Sequence, residues 1–341
     1  MTTDSAARTQ HAIVQTRYGD VRDVLALATD VPVTPPVAHE VQVHVRASSL
    51  NPIDWHMIEG NRRLITRRRF PFTPMFDLAG VVTAVGSAVT AFTVGDRVYA
   101  DNEMNGGGGT EYVNVPVDLL APAPAGLSFT EAAAIPLAAQ TALTCLDQGG
   151  VSAGTRVAVI GASGGVGHFV IQMARAAGAF VVGVSSARNL DFVLGLGAAE
   201  VVDRNETDLP TKYGADSFDV VIDTVGGRNQ WVQARRVLRP GGRFVTISRD
   251  EDGVVTPAAI VRLLTTITSR RIRGAGKRGI KYLPVFLKAA HPLLQRVTAL
   301  VESGQVVPHL ARTFPLTLEG VNQGIEENRT GRTVGKLVFE R

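Results

Sequence analysis

The sequence predicts an α/β protein in which a doubly wound parallel sheet is joined to a β-rich domain. The prediction rests on three features of the 341 residues. Residues 156–178 read as strand, glycine turn and helix; strand and helix then alternate as far as Ile247; residues 12–124 instead hold short strands separated by turns.

The central stretch is RVAVIGASGGVGHFVIQMARAAG. Val157, Ala158, Val159 and Ile160 form the uninterrupted apolar run of a strand covered on both faces. Gly161, Gly164, Gly165 and Gly167 follow, where the backbone turns sharply, approaches a phosphate and lets a helix pack closely. Val166, Phe169, Val170, Met173, Ala174 and Ala177 then recur at helical spacing, and the first turn of that helix aims free N–H groups at a pyrophosphate. Against the pattern G-x-G-x-x-G the first glycine is Ala162, and glycines alone are a weak signal. A second apolar strand at 180–184 completes a βαβ unit, which makes a Rossmann dinucleotide site the reading, with Ser163, Gly164, Gly165 and Val166 as contacts.

The end of that second strand bears on which dinucleotide binds. An acidic residue there would hydrogen-bond the ribose of NAD, but the chain runs Val184-Ser185-Ser186-Ala187-Arg188. Hydroxyls and a guanidinium suit the extra phosphate of NADP, and Arg204, after the third apolar segment at 200–203, is either a second cation for it or a solvated side chain. NADPH is therefore the expected cofactor.

In chain order, 39–45 alternates as a half-buried strand, 80–85 is an apolar strand and 94–98 is a turn leading into another. Pro116, Pro122 and Pro124 punctuate a connection, and 130–146 reads as helix. Past the central stretch, 218–223 is a strand, 231–238 a helix and 242–247 a strand; 268–275 reads as the last strand of the sheet, 283–303 as helix and 335–339 as a closing strand able to pair with the β-rich domain. Gly106, Gly107, Gly108 and Gly109 read as a mobile loop.

Bulk properties exclude several classes. With 45% apolar and 19% charged residues the chain is globular, and 35 basic against 31 acidic residues is too slight an excess for nucleic acid. Arginine clusters at 62–69 and 270–278 read as solvated loops. The lone Cys145 excludes an intramolecular disulfide and reads as a small buried side chain, which suits a reducing cytoplasm. The start is polar, and no apolar run reaches membrane-spanning length.

The order of motifs resembles the medium-chain dehydrogenase/reductase superfamily, in its zinc-independent, quinone oxidoreductase-like branch. The resemblance is carried by Asn51-Pro-Ile-Asp54, Pro71-Phe-Thr-Pro with Asp77-Leu-Ala-Gly-Val-Val82, Val94-Gly-Asp-Arg-Val98, the glycine turn, Asp219-Val-Val-Ile-Asp223, Leu238-Arg-Pro-Gly-Gly242 and Gly335-Lys-Leu-Val338. It implies a GroES-like catalytic domain built from 1–125 and 275–341, a Rossmann domain at 126–274 inserted in it, and an active site in the cleft. By position Asn51 inherits the place beside the nicotinamide, where an amide donates and accepts without competing for hydride. The alternative is that Asn51 only initiates a turn before Pro52. Thr141, Val225, Ile247 and Lys336 complete the expected cofactor contacts.

Zinc members of the superfamily carry a cysteine near the position of Asn51 and a His-Glu pair where this chain has Phe76-Asp77, so no metal is expected. Without a Lewis acid, hydride delivery to a quinone or an α,β-unsaturated carbonyl is the expected chemistry. Asp54 and His56 are the nearest titratable groups for a proton donor, though each reads more readily as a turn or surface residue. The alternatives are an enoyl-thioester reductase and an NADPH-binding sensor with little turnover. Met75 stands where members usually carry glycine and is expected to narrow the cleft. A homodimer is expected through the edge strand at 268–275.

Overall fold

The computed structural model describes residues 8–64, 66–247, 254–274, 276 and 278–341. The polar start at 1–7, and Ala275 and Lys277 of the second basic cluster, lie outside the described residues. The chain divides into two compact units: Met1–Leu137 with Lys288–Ala299 and Leu310–Arg341, and Ala138–Leu287 with Leu300–His309.

The first unit opens with β1 (Thr9–Gln15), α1 (Val21–Val24) and β2 (Leu25–Pro32), the strands forming an antiparallel ribbon. Next come β3 (Glu40–Leu50), α2 (Pro52–Ile58), β4 (Asp77–Val85), β5 (Arg97–Asp101), β6 (Tyr112–Pro116), β7 (Leu120–Pro122) and α3 (Phe129–Ala133). Val41, Val43 and Val45 alternate along β3 and are fully buried, the period-two pattern of a half-covered sheet.

The glycines at 106–109 are not a mobile loop: all are buried, Gly107 donates to Thr73 O at 3.1 Å, and Gly108 donates to Met75 O at 2.9 Å. A Cβ added at Gly108 would lie 2.4 Å from Ser48 Oγ, so close packing is what demands glycine there. Met75 itself has φ 69 and is buried among Ile13, Leu78 and Val43. That left-handed backbone accounts for glycine being usual at this position. The Met75 side chain fills the core of its own domain, and the expected narrowing of a cleft is not what it does.

The single helix expected at 130–146 is two, α3 and α4 (Pro136–Gly149), broken where Pro136 has no N–H to give and restricts Ile135. In the second unit β8 (Arg156–Ile160), α5 (Gly167–Ala176), β9 (Phe180–Ser185), α6 (Leu190–Gly195), β10 (Glu200–Asp203) and α7 (Leu209–Tyr213) lead to β11 (Phe218–Asp223), α8 (Arg228–Val237), β12 (Leu238–Thr246), α9 (Pro257–Gly274) and β13 (Lys281–Pro284). The six strands are parallel in the order β10-β9-β8-β11-β12-β13. Winding reverses between β8 and β11, so their carboxyl ends mark the crevice of a Rossmann sheet.

Two expectations fail in this region. Residues 268–274 are the end of helix α9, and the last strand is β13, paired with β12 from Arg243↔Lys281 onward. The segment expected as strand is instead held as helix by Gly274, where a Cβ would meet Ile280 O at 2.2 Å, and by Arg270, whose Nη1 donates to Tyr282 Oη at 3.1 Å. Leu283 is accordingly strand, and the helix expected at 283–303 begins only at His291, as α10 (His291–Glu302). A domain boundary at 275 is thus too early, because β13 belongs to the parallel sheet.

The first unit closes with β14 (Leu310–Pro315), α11 (Leu318–Arg329) and β15 (Lys336–Glu340). β15 enters between β14 and β3, parallel to one and antiparallel to the other.

Candidate active site

In the second unit the turn after β8 is shaped to face a phosphate. Gly161 has φ 82, Gly164 donates to Gly161 O at 3.0 Å, and a Cβ at Gly167 would fall 2.1 Å from Gly161 O. Helix α5 therefore starts against the strand, with Gly164, Gly165 and Val166 half-buried at its amino end. A bare backbone turn followed by the unpaired N–H groups of a helix start fits a dinucleotide pyrophosphate. Ala162, in place of the first fingerprint glycine, is fully buried against the sheet, where an added Cβ at Gly183 would touch it at 3.2 Å.

Ser163 and Ser185 join the turn to the end of β9: their hydroxyls lie 2.8 Å apart, and Asn189 Nδ2 donates to Ser163 Oγ at 3.0 Å. Asn189, which the sequence reading passed over, is thus the brace of this turn, and only tertiary pairing reveals it. Ser185 is buried in this contact, whereas Ser186 is half-buried and Arg188 and Arg204 are exposed. The backbone of Arg204 is fixed by donation to Ser185 O at 2.8 Å. Of the four residues expected at an extra phosphate, the structure leaves three at the surface and turns the fourth inward. Thr141 is buried on α4, Val225 is exposed just after β11, and Ile247 is half-buried after β12, tied to Asp223 O at 3.2 Å. Asp223 also accepts from the N–H groups of Val225 and Gly226 at 3.0 and 2.9 Å, which sets the turn that carries Val225.

The first unit holds a buried polar cluster at the end of β3. Asn51 caps α2 with Pro52 at its first position, and is 3% exposed. Its Nδ2 donates to Asp77 Oδ2 at 2.8 Å, and its Oδ1 accepts from Lys336 Nζ at 2.5 Å. Asp77 also accepts from Ser49 Oγ and from the Leu137 N–H, each at 2.8 Å. Lys336, expected at the cofactor, is 2% exposed and donates to Leu50 O, Asn51 Oδ1 and Asp77 Oδ2 at 3.0, 2.5 and 3.4 Å.

Asp54 is buried beside this cluster, its Oδ2 accepting the Asn51 backbone N–H at 2.7 Å and its Oδ1 without a partner. Burial pushes its carboxyl up to about 7, against the pull of the Asn51 hydrogen bond and with the help of the Asp77 charge. Asp101, opposite Asp77 across the β4/β5 pair, is held well above the usual carboxylate range by burial and then by Asp77. Among the described residues the one buried ammonium, Lys336, stands nearest Asp77 of these carboxyls.

His56 is half-buried, its ring tilted against that of Trp55 at 3.8 Å between centroids, with its Nδ1 3.1 Å from Asn61 Nδ2. Because that amide nitrogen also donates to Glu59 at 2.7 Å, His56 Nδ1 is an acceptor and the ring proton sits on Nε2. Among the described residues no group of three or more His, Cys, Asp or Glu side chains is placed to hold a metal ion, and no helix is long and apolar enough to cross a membrane.

Residues 37–125 match the family described as alcohol dehydrogenase GroES-like domain, and residues 196–339 the family described as zinc-binding dehydrogenase. The 2-methylene-furan-3-one reductase of Solanum lycopersicum is 34% identical over 95% of this chain and 77% of its own. The chloroplastic NADPH-dependent alkenal/one oxidoreductase of Arabidopsis thaliana is 31% identical over 98% of this chain and 80% of its own. The quinone oxidoreductase structure from Coxiella burnetii superposes with a TM-score of 0.82 at 27% identity, covering 98% of this chain and 100% of that one. The chain therefore belongs to the medium-chain dehydrogenase/reductase superfamily, in the quinone oxidoreductase-like branch of its nicotinamide-dependent oxidoreductases.

Proposed function

We propose that the protein is a zinc-independent reductase that transfers hydride from NADPH to a quinone or an α,β-unsaturated carbonyl. The observation that carries NADPH is the end of β9, where Ser186, Arg188 and Arg204 replace the carboxylate that would take the ribose of NAD. Similarity to an NADPH-dependent alkenal/one oxidoreductase supports the same choice, and the names of the other relatives support a conjugated carbonyl or quinone acceptor. The nicotinamide supplies the hydride.

The chain's own part is to bind, orient and manage a proton. The turn 161–166 and the start of α5 receive the pyrophosphate, and Ser163, Ser185 and Asn189 hold that turn rigid. Asn51 positions the reacting partners through its amide, a role in which a misplacement of about 1 Å costs on the order of 100-fold in rate. Asp54 holds a proton to near-neutral pH, which makes it the better of the two donors for the acceptor's oxygen; His56, with Nδ1 already occupied as an acceptor, is the second. The edge strand β13 is the surface through which a homodimer would form, in place of the 268–275 segment.

Oxidation of NADPH and of NADH, followed at 340 nm with a quinone, an enone and a crotonyl thioester, tests the reading. Turnover of the first two with NADPH is expected; oxidation with none of the three would leave the binding-only sensor, and turnover of the thioester alone would move the assignment to an enoyl reductase.

A further inference from the structure

We propose that Asp77 and Lys336 are positioning residues that lock the Asn51 carboxamide in one orientation, and that Lys336 does this instead of contacting the cofactor. The inference rests on the reading of Asn51 as a positioning group in hydride transfer.

The argument begins with which atoms give and which receive. An ammonium has three donors and no acceptor, and a carboxylate has acceptors only. Lys336 Nζ faces Asn51 Oδ1 and Asp77 Oδ2 faces Asn51 Nδ2, so a flipped amide would set donor against donor and acceptor against acceptor. The orientation of Asn51 is thus dictated by its partners, and one N–H of the carboxamide is left over. All three donors of Lys336 are spent, on Leu50 O, Asn51 Oδ1 and Asp77 Oδ2, so none remains for a phosphate oxygen. Asp77 receives Ser49 Oγ, Asn51 Nδ2, Leu137 N and Lys336 Nζ, which fixes it in turn. A buried pair with every hydrogen bond made is the arrangement in which low dielectric rigidifies rather than penalises. At the start of α2 the backbones of Asn51 and Asp54 are tied as well: the Asp54 N–H donates to Asn51 O at 3.0 Å, and Asp54 Oδ2 accepts the Asn51 N–H at 2.7 Å.

The test uses selectively 15N-asparagine-labelled, cofactor-free protein, with the Asn51 side-chain amide identified by its loss in Asn51→Ala. In the wild type its protons should exchange slowly; in Lys336→Met they should exchange at least tenfold faster while circular dichroism is unchanged. Single-turnover hydride transfer at saturating NADPH should fall about tenfold or more in Lys336→Met, with the NADPH dissociation constant altered less than threefold. The Asn51→Ala/Lys336→Met double variant should be no slower than Asn51→Ala alone. Unchanged amide exchange in Lys336→Met overturns the clamp, as does a tenfold loss of NADPH affinity at an unchanged saturated rate, or effects that multiply in the double variant. If Lys336→Met does not fold, Lys336→Gln carries the same readouts. An exchange effect present while Asn51→Ala transfers hydride at the wild-type rate would instead remove Asn51 from the reaction and leave the clamp a structural device.

Discussion

Asp54 stands on both sides of the Asn51 question: its Oδ2 holds the backbone N–H of Asn51 at 2.7 Å, and its Oδ1 is buried with nothing to accept from. A carboxyl so placed is costly to ionise, and that cost is what raises it to about 7.

Stability should therefore depend on pH through this residue. The folded chain keeps the Asp54 proton up to about pH 7, whereas the unfolded chain loses it near the ordinary aspartate value of 3.8, so the folded state binds more protons between the two. The contribution of Asp54 is fully present below pH 3.8 and is lost as pH rises to about 7. Asp54→Asn, which keeps an acceptor for Asn51, should gain on the wild type across that window by on the order of a few kcal/mol, read from urea midpoints. A difference that stays constant with pH would mean the carboxyl is not shifted.

Catalysis should show the same group from the other direction. With Asp54 as donor, the rate of reduction falls above about pH 7 as the proton is lost, and Asp54→Asn lacks that limb while His56→Gln retains it. Profiles of kcat/KM for the three proteins decide the assignment.

Met75→Gly sets two terms against each other. Glycine relieves a left-handed backbone that costs about 1–3 kcal/mol, but loss of the buried side chain costs about 2–5 kcal/mol. The net expectation is a loss of about 1–2 kcal/mol by chemical denaturation, and a more stable variant would show that the strain dominates.

Gly108→Ala and Gly109→Ala should separate. The first places a Cβ 2.4 Å from Ser48 Oγ and 3.0 Å from Asp77 O, the second no nearer than 3.3 Å to any atom. Gly108→Ala is expected to lose about 1–3 kcal/mol, as overpacking does, and to slow turnover by disturbing Asp77; Gly109→Ala should lose less than half of that.

Arg188→Ala should weaken NADPH binding tenfold or more and leave NADH binding unchanged, since a charge-assisted contact to phosphate contributes about 1.5–3 kcal/mol. Equal wild-type affinities for the two cofactors, measured by fluorescence titration, would refute the phosphate assignment.

What was legible in the sequence was whatever lies in one local stretch. The β8-turn-α5 unit is written in consecutive residues, and Cys145 reads correctly as a buried side chain, its thiol pushed up to about 12 by burial. The failures are of a different physical kind. At 268–274 the segment Thr-Ser-Arg-Arg-Ile-Arg-Gly carries no period that decides between strand and helix, and packing at Gly274 and Arg270 selects helix. At 106–109 glycine spacing gives no hint that the segment is tied to Thr73 and Met75. The carboxamide contacts of Asn51 come from Asp77 on β4 and Lys336 on β15, and no pattern in sequence announces a pairing so distant.

That distance has a consequence for biosynthesis. Lys336 reaches the carbonyl of Leu50 across 286 residues, and β15 is the strand that joins β14 to β3. All six strands of the parallel sheet leave the ribosome before it, so the nascent first domain waits with an open edge on β3. Contacts this non-local form slowly. Completion of the Asn51 contacts is then among the last events of folding, and a chain cut short of Lys336 would carry a finished dinucleotide fold and an Asn51 carboxamide held by Asp77 alone.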